Sequence, residues 1–289
     1  MKVLISGAAG QVGRSLRSTA PGAVEVIAFD HAQLDIADER QVESVLRRHR
    51  PDFVINAAGY TQVDRAESER EHAFLVNERG ARNLASGSLA VGAALVHLST
   101  NYVFAGDQAV PYDVTAHASP LSAYGHSKLA GERAASAVLG ERCTIVRTSW
   151  VYERDGSNFV TRMLKLMQSR DSIGVVYDQV GTPTWSVSVA QAIWALVEHG
   201  SVQGLQHWTD AGVASWYDFA LAIRDEALAR GILTRRIPIT PIRTAAFPTP
   251  AARPPYGVLA TECTRTLIGL DAPHWRENLC RMLDETRDA

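Results

Sequence analysis

The chain has 289 residues, 46% of them hydrophobic and 21% charged, with a formal net charge of -2 at pH 7. These values suit an ordinary globular protein with one large α/β domain, or one domain plus a smaller lobe. They argue against a nucleic-acid surface, which needs a clustered basic excess, and no apolar run is long enough to span a bilayer.

Cys143, Cys263 and Cys280 are far apart, odd in number and without metal-ligand spacing, so they read as reduced thiols. A strand pattern begins at once and leaves no room for a leader, and the expectation is a cytoplasmic protein. Lysine occurs only at positions 2, 128 and 165. Val3-Leu4-Ile5 predicts the first strand, followed by Gly7-Ala8-Ala9-Gly10-Gln11-Val12-Gly13 and a helix through Arg14 to Arg17. Strand, glycine turn and helix N-terminus in that order make a site for a pyrophosphate, although the spacing is G-x-x-G-x-x-G.

A second strand, Glu25 to Phe29, ends at Asp30, where a carboxylate would meet the adenosine ribose hydroxyls of NAD. Arg14 or Arg17 would offset that acid toward a 2′-phosphate, which leaves NADH and NADPH both open. Asp38 with Gln41 reads as the capped start of a helix from Gln41 to Arg48. Pro51 to Gly59 predicts a third strand emptying into small residues, and the charged stretch Asp64 to Arg70 reads as solvated surface. A helix from Arg79 to Val91 leads to a fourth strand, Ala94 to Leu98, then Ser99-Thr100. Those hydroxyls either satisfy the strand end or face a ligand.

Pro111 to Pro120 reads as a loop, and Tyr124-Gly-His-Ser-Lys128 opens the next helix. Four residues apart, the phenol and the ammonium share a helix face. A cation beside a tyrosine favours the phenolate, which makes Tyr124 a proton-transfer candidate if the pair is not mere surface. Cys143 to Thr148 predicts a fifth strand. Five strands alternating with helices give a doubly wound parallel sheet over residues 1–150. The remainder, 151–289, is expected to form mostly a smaller C-terminal lobe, with some segments returning to the first domain. It reads as helices at Asn158–Met167, Val187–His199, Trp216–Ala229 and Pro273–Glu285, a strand at Ser172–Val176, and extended loop over the proline-rich Pro238–Pro255.

The glycine loop, Asn56-Ala57-Ala58-Gly59, Ser99-Thr100 and Tyr124-x-x-x-Lys128 together resemble the extended short-chain dehydrogenase/reductase superfamily, which has a Rossmann-like fold. Further motifs resemble the dTDP-4-dehydrorhamnose reductase family over almost the whole chain: Ser99 to Phe104, Arg147-Thr-Ser-Trp150, Asp178 to Thr184, Trp216-Tyr217-Asp218 and Thr249 to Pro254. The resemblance implies reduction of a dTDP-4-keto-6-deoxysugar by NADPH or NADH, in a monomer or homodimer. It implies Tyr124 as proton donor, Lys128 as the group that lowers its pKa and holds the nicotinamide ribose, and Thr100 as partner of the substrate oxygen. Gly7, Gly10, Gln11, Val12 and Gly13 match the pyrophosphate loop. Asp30, Asp35 and Ile36 match positions around the adenosine, and Gly59, Tyr60, Thr61 and Leu98 line the rest of the cofactor. Asn101, Tyr102 and Trp150 match positions facing the sugar, with Asn158 and Arg253 toward the nucleotide diphosphate.

Three departures stand out. Asn101 replaces the family's usual aspartate. The usual Pro-Ala-Arg-Arg-Pro with a serine three residues on becomes Pro250-Ala-Ala-Arg253-Pro254 followed by Gly257. Ser15 stands where some relatives carry a glutamate linked to metal-mediated dimerisation, so no metal site is expected. The altered residues leave room for a related 4-ketoreductase, while the intact Tyr124, Lys128 and Thr100 weigh against a non-catalytic dinucleotide-binding regulatory subunit.

Overall fold

Strands buried on both faces need unbroken apolar runs, and Val3-Leu4-Ile5, Val54-Ile55 and Ile145-Val146 are such runs, each residue at most 1% exposed. In the computed structural model, which describes residues 1–200 and 203–287, they lie in one six-stranded sheet whose neighbouring strands are all parallel. In chain order the main elements are β1 (Lys2–Ser6), α1 (Gln11–Ser18), β2 (Glu25–Phe29), α2 (Glu39–His49), β3 (Phe53–Asn56), α3 (Gly80–Val91), β4 (Ala94–Thr100), α4 (Ala123–Leu139) and β5 (Cys143–Thr148). They continue with α5 (Phe159–Ser169), β6 (Ile173–Val176), α6 (Ser186–His199), β7 (Gly204–His207), α7 (Trp216–Ala229), β8 (Ile239–Ile242) and α8 (Trp275–Arg287).

The strand order is β7-β5-β4-β3-β1-β2. The chain leaves β1 for β2 on one side and returns to β3 on the other, so the C-terminal ends of β1 and β3 flank the switch point where open α/β sheets bind ligands. Period-two alternation sorts the strand side chains. Val3, Ile5, Ile55, Val96 and Val146 pack under α1 and α6, while Leu4, Val54, Leu95 and Ile145 pack under α2, α3 and α4. A separate core holds α5, α7 and α8 together around Phe219, Trp275, Leu279 and Leu283. No helix among the described residues is long and apolar enough to cross a membrane.

Two expectations need correction. The proline-rich segment is not all loop, because Ile239–Ile242 pairs in parallel with Ile173–Val176. Pro241 is tolerated because a two-stranded ribbon is all edge, with ladder groups that no neighbour requires. The stretch Asp64 to Arg70 is also more than solvated surface. Short helices at Arg65–Ser68 and Arg70–Phe74, then a π turn at Leu75–Arg79, run into α3, and their acidic side chains reach the site described next.

Candidate active site

The first turn of α1 has no side-chain cap: Gly10 occupies the N-cap, so the early N–H groups of the helix face outward. Gly7 takes φ +76°, and a Cβ there would meet Ala58 N at 2.5 Å. A Cβ on Gly13 would lie 2.2 Å from the Gly7 carbonyl oxygen. The loop is therefore folded against its own backbone, and only glycine fits at either position. Gln11 leaves a buried side-chain oxygen without a partner, and Val12 is buried in the cradle. Backbone donors, a helix dipole and an orphaned amide at the switch point fit a dinucleotide pyrophosphate.

Around this loop the expected cofactor residues divide. Asp30 stands at the end of β2 and accepts from Gln33 N at 3.0 Å. Asp35 accepts from Ala37 N at 2.9 Å. Ile36 is 3% exposed and packs where a Cβ on Gly80 would touch it, so its side chain belongs to the core beneath α3. Arg14 pairs with Glu153 and is committed, whereas Arg17 is exposed. Gly59 lies beside the Lys128 ammonium, to which a Cβ would come within 3.8 Å. Tyr60 donates its N–H to Asn77 in the π turn at 2.8 Å and its hydroxyl to Glu69, and Thr61 is exposed. Leu98 contributes its carbonyl, which accepts from Lys128 Nζ at 2.6 Å.

Tyr124 and Lys128 are buried rather than surface, at 8% and 5% exposure. Ser122 caps α4, accepting from Gly125 N, and Glu67 accepts the Ala123 N–H at 2.8 Å, so α4 is tied at its start. Burial pushes the Tyr124 phenol up to about 12, with a hydrogen bond from Thr100 opposing and the nearby Tyr102 adding to it. Desolvation is the largest influence on the phenol, and the Lys128 ammonium is turned to the Leu98 carbonyl. A tyrosine kept protonated is what an acid requires. Lys128 is itself drawn down to about 8 by burial, with Glu132 pulling the other way.

On the substrate side, Asn101 is 2% exposed and donates to the Gly257 carbonyl at 3.1 Å, instead of pointing freely at a sugar. Tyr102 packs edge-on against Tyr124 at 5.5 Å. Trp150 adopts φ +47° and stacks on Trp216 at 3.4 Å, with Phe159 tilted against Trp216 at 4.5 Å. Asn158 is spent differently from expectation. It caps α5, accepting from Thr161 N and donating to the Glu153 carbonyl at 2.7 Å, so its amide serves the backbone. Arg253 forms a two-pronged pair with Asp64, at 2.9 and 2.8 Å. That contact holds the Asp64 carboxyl below its ordinary range.

A cavity of about 330 Å³ is lined by Tyr102, Arg162, Val176, Gln179, Trp216 and Arg253. Two guanidiniums and an aromatic wall suit a planar base joined to an anionic linker. Sequence reading missed Arg162 and Phe159, whose only signal was their place in a helix, and gave Gln179 no role although it lies in the Asp178 to Thr184 motif. It also missed Asp64, Glu67 and Glu69, whose charge alone suggested solvent.

A family model described as RmlD substrate binding domain matches residues 1–288. A dTDP-4-dehydrorhamnose reductase from Aggregatibacter actinomycetemcomitans is 40% identical over 96% of this chain and 97% of its own length. A dTDP-4-keto-6-deoxy-D-glucose reductase from Streptomyces niveus is 47% identical over 75% of each. The crystal structure of dTDP-4-dehydrorhamnose reductase from Bacillus anthracis in complex with NADP superposes with a TM-score of 0.93 at 38% identity, covering 98% of this chain and 99% of that one. With the glycine cradle, the Tyr124–Lys128 pair and Thr100 gathered at the switch point of a parallel sheet, the chain belongs to the dTDP-4-dehydrorhamnose reductase family.

Proposed function

We propose that this protein reduces the C4 ketone of a dTDP-4-keto-6-deoxyhexose, most directly dTDP-4-dehydrorhamnose to dTDP-rhamnose. The observation that carries this reading is the buried Tyr124, on one helix face with Lys128 and packed edge-on against Tyr102, which lines the cavity. The cofactor is NADPH or NADH, with NADPH favoured by the NADP complex of the Bacillus anthracis relative. When bound, the nicotinamide supplies the hydride.

The chain's own residues do the rest. The Gly7 to Gly13 loop holds the pyrophosphate, and Lys128 orients the nicotinamide ribose. Tyr124 gives its proton to the ketone oxygen as negative charge grows there, and Thr100 adds a second donor. Such donors in a dry site contribute roughly 3 kcal/mol each to the barrier. Tyr102 and Trp150 flank the sugar, and Arg253 with Arg162 meets the diphosphate. Residues 1–150 form the cofactor half, and most of the later chain forms the substrate half. The same reading places a monomer or homodimer in the cytoplasm.

A second reading is a 4-ketoreductase for another nucleotide-linked deoxysugar. It is favoured by Asn101 and Gly257 at the sugar end of β4 and by the name of the Streptomyces niveus relative. Incubation with dTDP-4-keto-6-deoxy sugars of both C5 configurations, followed by NMR of the product, separates the two. Single-turnover rates of Tyr124→Phe test the acid: a near-normal chemical step in that variant removes the tyrosine from the role.

A further inference from the structure

Tyr124, Lys128 and Glu132 follow one another at four-residue spacing on the same face of α4, and Glu132 is only 4% exposed. Its carboxylate accepts from Arg147 Nε at 2.9 Å and Nη2 at 2.6 Å, and from the Ser99 hydroxyl. Arg147 comes from β5, and Ser99 immediately precedes Thr100 on β4. The guanidinium lies 5.0 Å over the Phe104 ring, and its Nη1 has no hydrogen-bond partner. Burying this pair costs desolvation, and apolar side chains of similar volume would hold the same three elements at least as well. The arrangement therefore needs a reason other than stability.

Lys128 supplies that reason. Its ammonium is buried, and charge in such a place is strongly disfavoured unless an anion stands nearby. The titratable and charged groups about it are Tyr124 and Glu132 on α4 and His97 on β4, with Arg147 of β5 on the far side of Glu132 and Tyr102 against Tyr124. His97 is fully buried, hydrogen-bonded through Nδ1 to the Asn56 amide at 2.9 Å, and held well below its ordinary pKa by burial and by Lys128. Among these groups Glu132 alone carries a carboxylate. It lies one helical turn from the ammonium, and two strands fix it in place.

We propose that Glu132, clamped by Arg147 and Ser99, is a positioning residue that keeps Lys128 charged and ties the Thr100 strand end to the catalytic helix. The proposal rests on the role given above to Lys128, yet its test does not depend on turnover. With lysine only at positions 2, 128 and 165, side-chain ¹³C-lysine labelling gives three signals, and Lys128→Arg identifies one. The wild-type Lys128 signal is expected to titrate at about 8.

Replacing the ion pair by the neutral pair Glu132→Gln/Arg147→Met should lower the Lys128 midpoint by about one unit, a tenfold loss of proton affinity. The pH at which NADPH affinity is halved should fall by the same amount. Arg147→Met alone leaves the anion unneutralised and should move the midpoint up, so the two substitutions give opposite signs and either folded variant decides the matter. An unchanged midpoint in either variant overturns the proposal. Shifted midpoints in a protein that reduces no keto sugar would instead leave the proposal standing and sink the proposed function.

Discussion

Asn101→Asp restores the residue usual in the family, yet this structure predicts that it harms the protein. Asn101 is buried, and its amide donates to the buried Gly257 carbonyl at 3.1 Å. A carboxylate there presents an acceptor to an acceptor. The loop cannot retreat, because Gly257 N donates to Val180 O and Val180 N to Pro255 O, both at 2.8 Å. The change removes a hydrogen bond worth about 1 kcal/mol and leaves a buried acceptor facing a charge, for a total loss of roughly 2–4 kcal/mol. Gly257→Ser alone also fails, since its Cβ would lie 2.3 Å from Asn101 Nδ2. A carboxylate at 101, repelled by the Gly257 carbonyl, turns aside and frees the space for the serine Cβ while accepting from its hydroxyl, so the double variant should recover at least about 1.5 kcal/mol relative to the sum of the singles. Urea unfolding of the four proteins at pH 7, with kcat/KM measured on each, completes the cycle. Additive losses within about 0.5 kcal/mol would refute the reasoning.

Gly13→Ala drives a Cβ into the Gly7 carbonyl, where nothing flexible gives way, and should abolish NADPH binding by fluorescence titration while the far-UV spectrum stays folded. Gly181→Ala places a Cβ 2.7 Å from the Trp150 ring, which Trp216 blocks from behind. That overpacking should cost about 1–3 kcal/mol by thermal unfolding and raise KM for the sugar nucleotide more than it lowers kcat. Asp210 is buried, and desolvation raises its pKa from 3.8 to about 6, so the folded state holds its proton more tightly than the unfolded chain. Its penalty is present above pH 6 and relieved as pH falls toward 3.8. Asp210→Asn, which keeps the acceptor for Trp185 N, should therefore gain about 2–3 kcal/mol relative to wild type at pH 7 and lose that advantage near pH 4. A difference that is constant with pH would show that the carboxyl titrates normally.

The doubly wound sheet was legible because its signals are local. Apolar runs such as Val3-Leu4-Ile5 and the helices between them announce βαβ units, and Asp38 accepts from Arg40 N and Gln41 N as its sequence position predicts. Reaction type was legible for the same reason, since Tyr124 and Lys128 are neighbours on one helix. What sequence could not supply was any property set by elements distant in the chain. Arg253 meets Asp64 across 189 residues, and Asn101 meets Gly257 across 156. Desolvation is equally nonlocal: the same Tyr–Lys spacing on an exposed helix would favour the phenolate, whereas burial raises the Tyr124 pKa. The residues by themselves determined the fold and the shared helix face of Tyr124 and Lys128, because hydrophobic period and helical spacing are written in adjacent positions. Tertiary structure decided which charges are paired, which amides are spent on backbone and how tightly the tyrosine holds its proton, because those depend on what the folded chain packs around each group.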